Sequence, residues 1–343
     1  MTHYLFYPGC SMTRSARAYL DSFMALREDL GIDVEEVHDW NCCGATEYAA
    51  VYGGAAHALV ARNLALAQKQ ALQAVQGTAV DGTRTVLAGC SACYLNLMKT
   101  EHMMRDDARF GERVNEALAV GDLHYDAGSV LVRHLLDVIY NDVGLDAIRG
   151  RVVRPLHGLR VAPYYGCMIV RPDPEHRYSS PEYPLEMDRL LRVLGVEVVN
   201  YPLKTQCCGG HMTQISPPVA YELIRRLVHG AEENGAHLVV TLCPMCQLNL
   251  DAFQGDMNDY FDTDYQIPVL YFTQLLGLAL GHEPVELGLG REFVSSREAL
   301  AYAGVDVPQE EEEDAMAPRR RRRRKDDPTL PMPKMPGEEE TPL

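Results

Sequence analysis

Short apolar runs alternate with stretches of helical spacing along most of the chain. Residues 5–7 and 160–165 are predicted to be strands, and each precedes a stretch with apolar residues at helical spacing, 20–30 and 185–194, that ends at a glycine. Further strands are predicted at 32–37, 196–201, 85–88 and 237–242, and helices restart near Tyr94 and Gln247. This order of strands and helices favours parallel sheets with helices on both faces.

The same order of elements occurs twice, so we predict an α/β protein made of two pseudo-symmetric, Rossmann-like halves. The predicted domains are residues 1–155 and 156–290, followed by a tail at 305–343. Beyond about residue 309 the apolar pattern stops, and an acidic run at 310–314 precedes a basic run at 319–325 among many prolines. Such a composition predicts a disordered, charged tail.

Ten cysteines repeat one pattern in both halves. Each set consists of a single Cys, then Cys-Cys-Gly, then Cys-x-x-Cys, with 31 and 46 residues between the groups in the first set and 39 and 34 in the second. We call them the first quintet (Cys10, Cys42, Cys43, Cys90, Cys93) and the second quintet (Cys167, Cys207, Cys208, Cys243, Cys246).

Residues beside the cysteines repeat as well. Asn41-Cys-Cys-Gly44 matches Gln206-Cys-Cys-Gly209, and Cys93-Tyr-Leu-Asn-Leu97 matches Cys246-Gln-Leu-Asn-Leu250, whereas Tyr7-Pro-Gly-Cys10 matches Tyr165-Gly-Cys167 only loosely. Each cysteine group follows a predicted strand, at the edge of the sheet where parallel α/β folds form their sites. No dinucleotide-binding glycine fingerprint follows any strand, so neither a nicotinamide nor a flavin is expected.

Composition narrows the class of protein. The chain has 343 residues and a formal charge of −16, which argues against general nucleic-acid binding. Its longest apolar run, 267–281, is short for a membrane span, and its first residues do not resemble a signal peptide. We therefore expect a cytoplasmic protein, in which cysteines serve metal ligation or redox chemistry more often than disulfides.

Five thiols per half narrow the choice of metal group. Zinc needs four ligands and has no use for a fifth, whereas all-thiolate sets without histidine suit iron–sulfur clusters. Zinc in at least one half and buried free thiols remain alternatives. If neighbouring cysteines such as Cys42 and Cys43 point in different directions, they reach different irons or bridge two.

The doubled pattern resembles the B subunit of heterodisulfide reductase, a family of tandem Cys-Cys-Gly (CCG) domains. The resemblance covers about residues 3–285 and rests on these segments: Tyr7-Pro-Gly-Cys10, Trp40-Asn-Cys-Cys-Gly-Ala45, Tyr164-Tyr-Gly-Cys167, Arg171-Pro172, Met187-Asp-Arg-Leu-Leu191, Cys207-Cys-Gly209, Cys243-Pro-Met-Cys-Gln-Leu-Asn-Leu-Asp251 and Pro268-Val-Leu-Tyr-Phe-Thr273.

The resemblance implies that each quintet holds one non-cubane four-iron, four-sulfur cluster. It also implies that two clusters face a cleft between the halves and split the mixed disulfide of coenzymes M and B, each capturing one sulfur. The implied partners are the small iron–sulfur C subunit and the flavin-bearing A subunit of heterodisulfide reductase. Two gaps depart from the family: 46 residues separate Cys43 from Cys90, about ten more than usual, and 34 separate Cys208 from Cys243, one fewer than usual. The surplus in the first gap falls around residues 73–83.

Other residues are weaker candidates for chemistry. His211 lies three residues beyond Cys208 and is a candidate proton donor to a released thiolate, although an orienting role fits its position better. Lys204 and Arg171 are candidates for attracting an anionic thiol substrate. Tyr164, Tyr165 and Tyr201 are interpreted as packing residues.

Two functions follow from this pattern. The first is the catalytic subunit of a heterodisulfide-reductase-like complex, which reduces or forms a disulfide with electrons from a partner. The second is an electron-transfer subunit of a succinate-dehydrogenase-type complex, which passes electrons to quinone. The basic run of the tail predicts peripheral contact with an anionic membrane surface on the cytoplasmic side, which the flanking acids oppose.

Overall fold

Two four-stranded parallel sheets organise the protein. The structure is a computed structural model that describes residues 1–45, 52–73, 84–170 and 178–308. The predicted loop at 73–83 lies almost entirely, and the tail beyond residue 308 entirely, outside the described residues. Residues 1–309 form one compact unit, and within its described part no helix is long and apolar enough to cross a membrane.

The two sheets have the same topology. In the first, the strands lie in the order β2-β1-β3-β4, and in the second in the order β6-β5-β7-β8. All pairs are parallel, with Leu5 opposite Val86 in the first sheet and Val161 opposite Leu238 in the second. The strands are β1 (Thr2–Tyr7), β2 (Ile32–Glu36), β3 (Arg84–Ala88), β4 (Val130–His134), β5 (Arg160–Tyr164), β6 (Glu197–Val198), β7 (Leu238–Thr241) and β8 (Val269–Tyr271).

Helices connect the strands in each half, and two more among the described residues follow the last strand. In the first half they are α1 (Gly9–Met12), α2 (Arg17–Leu30), α3 (Gly53–Gln73), α4 (Ser91–Asp106), α5 (Ala108–Ala119), α6 (Leu135–Val138), a π-helix (Ile139–Gly144) and α7 (Leu145–Arg149). In the second they are α8 (Glu186–Val193), α9 (Met212–Ile215), α10 (Pro217–Glu233), α11 (Pro244–Ala252), α12 (Gln254–Phe261), α13 (Phe272–Leu280) and α14 (Arg297–Ala301).

The fold class predicted from the apolar pattern is confirmed, and several boundaries are corrected. The helices after the Cys-x-x-Cys motifs begin at Ser91 and Pro244, inside the motifs, instead of near Tyr94 and Gln247. Strand β6 is only two residues long, where the pattern predicted 196–201. The fourth strand of each sheet, β4 or β8, was not predicted, because each is short and leads directly into a helix.

The two halves share one interior. Helix α2 of the first half packs against α13 of the second, and the hydroxyls of Ser22 and Thr273 lie 2.7 Å apart in this interface. The buried rings of Tyr19 and Tyr271 stack with centroids 4.4 Å apart. Both interior clusters of apolar side chains draw on both halves. The two sheets are therefore held in one fixed arrangement, with their cysteine-bearing edges facing each other.

The carboxyl group of Glu292, between α13 and α14, is buried. One oxygen of Glu292 accepts hydrogen bonds from Gly290 N, at 2.9 Å, and from the Ser296 hydroxyl, and the other has no partner among the described residues. Burial, aided by the nearby charge of Asp251, raises the pKa of Glu292 from 4.5 to about 7. The folded state therefore binds this proton more tightly than the unfolded chain does.

We expect the stability of the body to fall as pH rises from about 4.5 to 7 because of Glu292. Since its pKa is higher when folded, the stabilisation is complete below the unfolded pKa and is lost as the carboxyl ionises. The size is on the order of 3 kcal/mol for a shift of this extent. Glu292→Gln removes this slope in urea titrations at several pH values. An unchanged slope in the variant contradicts the assignment.

Candidate metal centre

Each cysteine group lies at the carboxyl end of a strand. Cys10 and Cys90 follow β1 and β3, while Cys167 and Cys243 follow β5 and β7. These inner strands are neighbours in each sheet, so the loops that follow them converge. The ten predicted cysteines are all free thiols.

The thiols approach one another in pairs within each half. In the first quintet the Sγ atoms of Cys10 and Cys42 are 3.6 Å apart and those of Cys43 and Cys93 are 3.3 Å apart. In the second quintet the Sγ atoms of Cys208 and Cys246 are 3.5 Å apart, and Cys167 and Cys207 shift each other's pKa. The first Cys-x-x-Cys motif also lies next to the second, because its Ser91 and Ala92 line the cavity that Cys243 and Cys246 surround.

The hydrogen bonds favour the thiolate form at one residue of each Cys-Cys pair. The thiols of Cys42 and Cys93 lower the pKa of Cys43. The thiol of Cys167 and the backbone N–H of Gly209, which is 3.3 Å from the sulfur, lower the pKa of Cys207. Thiolates are the form in which cysteine binds metals.

Matched contacts hold the two quintets in the same way. The hydroxyl of Tyr7 donates to Asn41 O and that of Tyr164 donates to Gln206 O, both at 2.7 Å. The structural counterpart of Tyr7 is therefore Tyr164, which corrects the looser match to Tyr165. The amides of Asn96 and Asn249 donate to Cys43 O and Cys208 O, at 2.9 and 3.1 Å. These asparagines belong to the repeated motifs, but their role was missed because the sequence does not show what they contact.

Two glycines leave room for the sulfur atoms. A Cβ atom at Gly9 would lie 2.8 Å from Cys93 Sγ, and one at Gly166 would lie 3.0 Å from Cys246 Sγ. Both glycines have a positive φ, +68° and +70°. The loop before each single cysteine thus needs glycine for its backbone conformation and for its closeness to a thiol.

A small cavity of about 50 Å³ is lined by all five cysteines of the second quintet. The first half contributes Ala45, Ser91 and Ala92 to its wall, and Met168 and His211 close it from the second half. Within the described residues no three His, Cys, Asp or Glu side chains converge on one point that a single ion could occupy. An iron–sulfur cluster distributes its thiolate ligands over several irons, so the thiols surround the whole cluster instead of converging on one point.

These observations fit thiolate-bound metal–sulfur chemistry at the cysteines. The donor set is sulfur alone, the thiols are mostly buried, and N–H groups face two of the sulfurs, Cys207 and Cys208. Hydrogen bonds of this kind are how proteins stabilise such groups and adjust their potentials.

The structure corrects one weaker candidate and explains three others. Lys204 is fully buried, and its Nζ donates to Asp188 at 2.6 Å, so it is not available to attract a substrate. Tyr164, Tyr165 and Tyr201 are buried packing residues, as predicted, with their hydroxyls hydrogen-bonded inside the protein. Arg171 lies outside the described residues.

Sequence reasoning placed only His211 near the cysteines, and His134 adds a second histidine. His134 is fully buried at the end of β4, where the charges of Cys243 and Asp137 act to raise its pKa. Burial has the larger effect and lowers the pKa of His134 to about 4, so the ring is neutral at neutral pH. Its Nδ1 accepts a hydrogen bond from Leu136 N. Nothing in its position along the chain indicates this contact, because the fold brings it to the second quintet from the other half.

The fold and the thiol sets define a protein with two cysteine-rich domains. A family model described as a cysteine-rich domain, CCG, matches residues 4–98 and 161–251. The membrane anchor subunit of 8-methylmenaquinol:fumarate reductase from Wolinella succinogenes is 32% identical over 85% of this chain and 97% of its own. The B subunit of a ferredoxin/F420H2-dependent CoB–CoM heterodisulfide reductase from Methanosarcina acetivorans is 30% identical, over 80% and 88%.

The chain belongs to this tandem CCG family, which includes the B subunit of heterodisulfide reductase. A solved structure of a hypothetical protein from Helicobacter pylori superimposes with a TM-score of 0.66 at 13% identity. It covers 85% of this chain, and this chain spans 52% of that one, so the likeness concerns the fold alone.

Proposed function

We propose that the chain is the catalytic iron–sulfur subunit of a heterodisulfide-reductase-like complex. The observation that carries the proposal is the pair of matched quintets, with Ser91 and Ala92 of the first Cys-x-x-Cys motif in the wall of the cavity that the second quintet lines. Two equivalent thiol sets facing one another suit a reaction in which one disulfide gives two thiols. Relatives named as heterodisulfide reductase subunits support the same function.

The quintets supply ten ligands for two four-iron, four-sulfur clusters of the non-cubane type. The first would be held by Cys10, Cys42, Cys43, Cys90 and Cys93, and the second by Cys167, Cys207, Cys208, Cys243 and Cys246. When bound, these clusters supply one-electron redox chemistry. The domain limits follow from this assignment: 1–155 for the first cluster, 156–290 for the second, and a charged tail from 305.

The reaction consumes two electrons and two protons for each disulfide, and releases two thiols. The electrons come from a partner iron–sulfur protein that resembles the C subunit of the family, itself supplied by a flavin-bearing protein that resembles the A subunit. His211 lines the cavity of the second quintet and is the proposed source of one proton. The carbonyl contacts from Asn96 and Asn249 keep the Cys-Cys loops in place. We place the protein in the cytoplasm, peripheral to the membrane through the basic run of its tail.

A second candidate function is electron transfer to quinone in a succinate-dehydrogenase-type complex. The Wolinella succinogenes relative, named as a membrane anchor subunit of a fumarate reductase, favours it. In that role the quintets carry electrons and bind no thiol. The two functions therefore differ in whether small thiols reach the metal groups.

Electron paramagnetic resonance of the anaerobically purified chain separates the two functions. We expect a signal that changes when a thiol is added to the oxidised protein, because thiol sulfur reaches the metal groups in the catalytic subunit. Small aliphatic, sulfonated and dithiol compounds serve as probes, and an alcohol of the same size is the control for each. Fully loaded protein whose signal ignores every thiol, and which reduces fumarate through its partner subunits with menaquinol, contradicts the catalytic proposal.

A further inference from the structure

The two quintets differ at both middle positions of the Cys-x-x-Cys motif, and the first of these differences concerns a hydrogen-bond donor. The first motif is Cys90-Ser-Ala-Cys93 and the second is Cys243-Pro-Met-Cys246. Ser91 and Pro244 therefore occupy corresponding positions, each as the first residue of the helix that follows. Serine carries a hydroxyl that donates a hydrogen bond, and proline carries no donor at all.

Ser91 is buried in the wall of the other half's cavity. It is 1% exposed and lines the cavity of about 50 Å³ that all five cysteines of the second quintet surround. Its Oγ has no hydrogen-bond partner among the described residues. A buried hydroxyl without a partner costs about 1–3 kcal/mol, so native proteins rarely keep one without a use.

The sulfurs of the second quintet line the same cavity as Ser91, so they are the candidate acceptors for its hydroxyl. Sulfur bound to metal carries negative charge and accepts hydrogen bonds, and such bonds raise the reduction potential of the group by stabilising its reduced form. The first quintet has a hydroxyl of its own, Ser11, 3.9 Å from Cys10 Sγ. That pair is exposed, so water competes with the hydroxyl there.

We propose that the Ser91 hydroxyl, supplied by the first half, hydrogen-bonds to the sulfur of the group held by the second quintet and makes that group the easier of the two to reduce. This inference rests on the proposed function, since it needs a cluster in each half. It assigns the first electron to the second half. Ser91 therefore acts directly on the metal group and touches no substrate.

A redox titration of the full chain, purified without oxygen, tests the assignment. Electron paramagnetic resonance monitors the titration. The wild type is expected to show two one-electron steps at different potentials. Ser91→Ala moves the step at higher potential downward and leaves the lower one in place, so that at a fixed potential the reduced fraction of one cluster falls severalfold. Ser91→Thr, which keeps the hydroxyl and adds a methyl next to the cavity, retains the wild-type steps.

Ser11→Ala is the matched control, because it removes the exposed hydroxyl beside the first quintet and is expected to change neither step. Alanine is a good helix former, so Ser91→Ala does not threaten folding. If both potentials stay unchanged in Ser91→Ala, or if this variant loses half of its iron, the inference is overturned while the proposed function stands. A wild-type chain that folds without iron defeats the proposed function itself, before Ser91 is considered.

Discussion

Gly9→Ala is expected to empty the first quintet of metal while leaving the second loaded. The added Cβ would lie 2.8 Å from Cys93 Sγ, closer than real Cβ atoms approach, and φ is +68°. The thiol must move away from its partners, and one displaced ligand loosens a group that depends on all five. Iron per chain should fall by about half, from roughly eight to roughly four for two four-iron clusters.

Gly44→Ala separates collision from backbone strain. Gly44 has a similar φ, +63°, and a Cβ there meets nothing within 4 Å among the described residues. An alanine at this position has the cost of a left-handed backbone conformation, about 1–2 kcal/mol, and makes no contact with sulfur. We therefore expect Gly44→Ala to lower the unfolding midpoint and keep its iron. Equal iron loss in both variants would show that the loop conformation matters and the sulfur contact does not.

Lys204→Met is expected to cost about 3–5 kcal/mol of unfolding free energy, because it leaves the buried carboxylate of Asp188 without its cation. Lys204 Nζ donates to Asp188 and to Pro184 O, and it lies 4.0 Å from the ring centroid of Tyr183. Urea unfolding of the full chain at pH 7 measures the loss. The backbone carbonyl of Lys204 also accepts from the N–H groups that precede Cys167, so the same residue links the loops of Cys167 and Cys207.

Two further variants test the reason for that loss. Arg226→Met removes an exposed partner of Glu222 and should cost no more than about 0.5 kcal/mol. Combining Lys204→Met with Asp188→Asn should recover part of the stability, because no buried charge is then left alone. A small effect of Lys204→Met alone would be incompatible with a buried ion pair.

The cysteine pattern carried most of what could be predicted from the sequence. Thiols that recur in register behind strand-like runs, such as Cys10 and Cys167, imply both the duplicated fold and the convergence of loops at one edge. The prediction succeeds because parallel strands align their carboxyl ends whatever lies between them. The prediction of thiolate ligands follows from the chemistry of the cysteine side chain, and the close approach of the thiols in pairs is consistent with it.

Residues that act across the halves could not be predicted in this way. Lys204 looked available because a charged side chain is usually exposed, and only the fold shows that Asp188 and Tyr183 enclose it. His134 and Ser91 come from the first half to the second quintet. Their positions depend on how two sheets pack, and a single sequence carries no periodic signal for that contact.

Counting iron and acid-labile sulfide in the anaerobically purified chain tests the central claim most directly. Two clusters predict about eight irons and about eight sulfides per chain. Changing Cys43 or Cys208 to serine should alter the spectrum of one half and spare the other. Folded protein with no iron, or with about four irons and one zinc, would contradict the presence of two matched, cluster-binding thiol quintets.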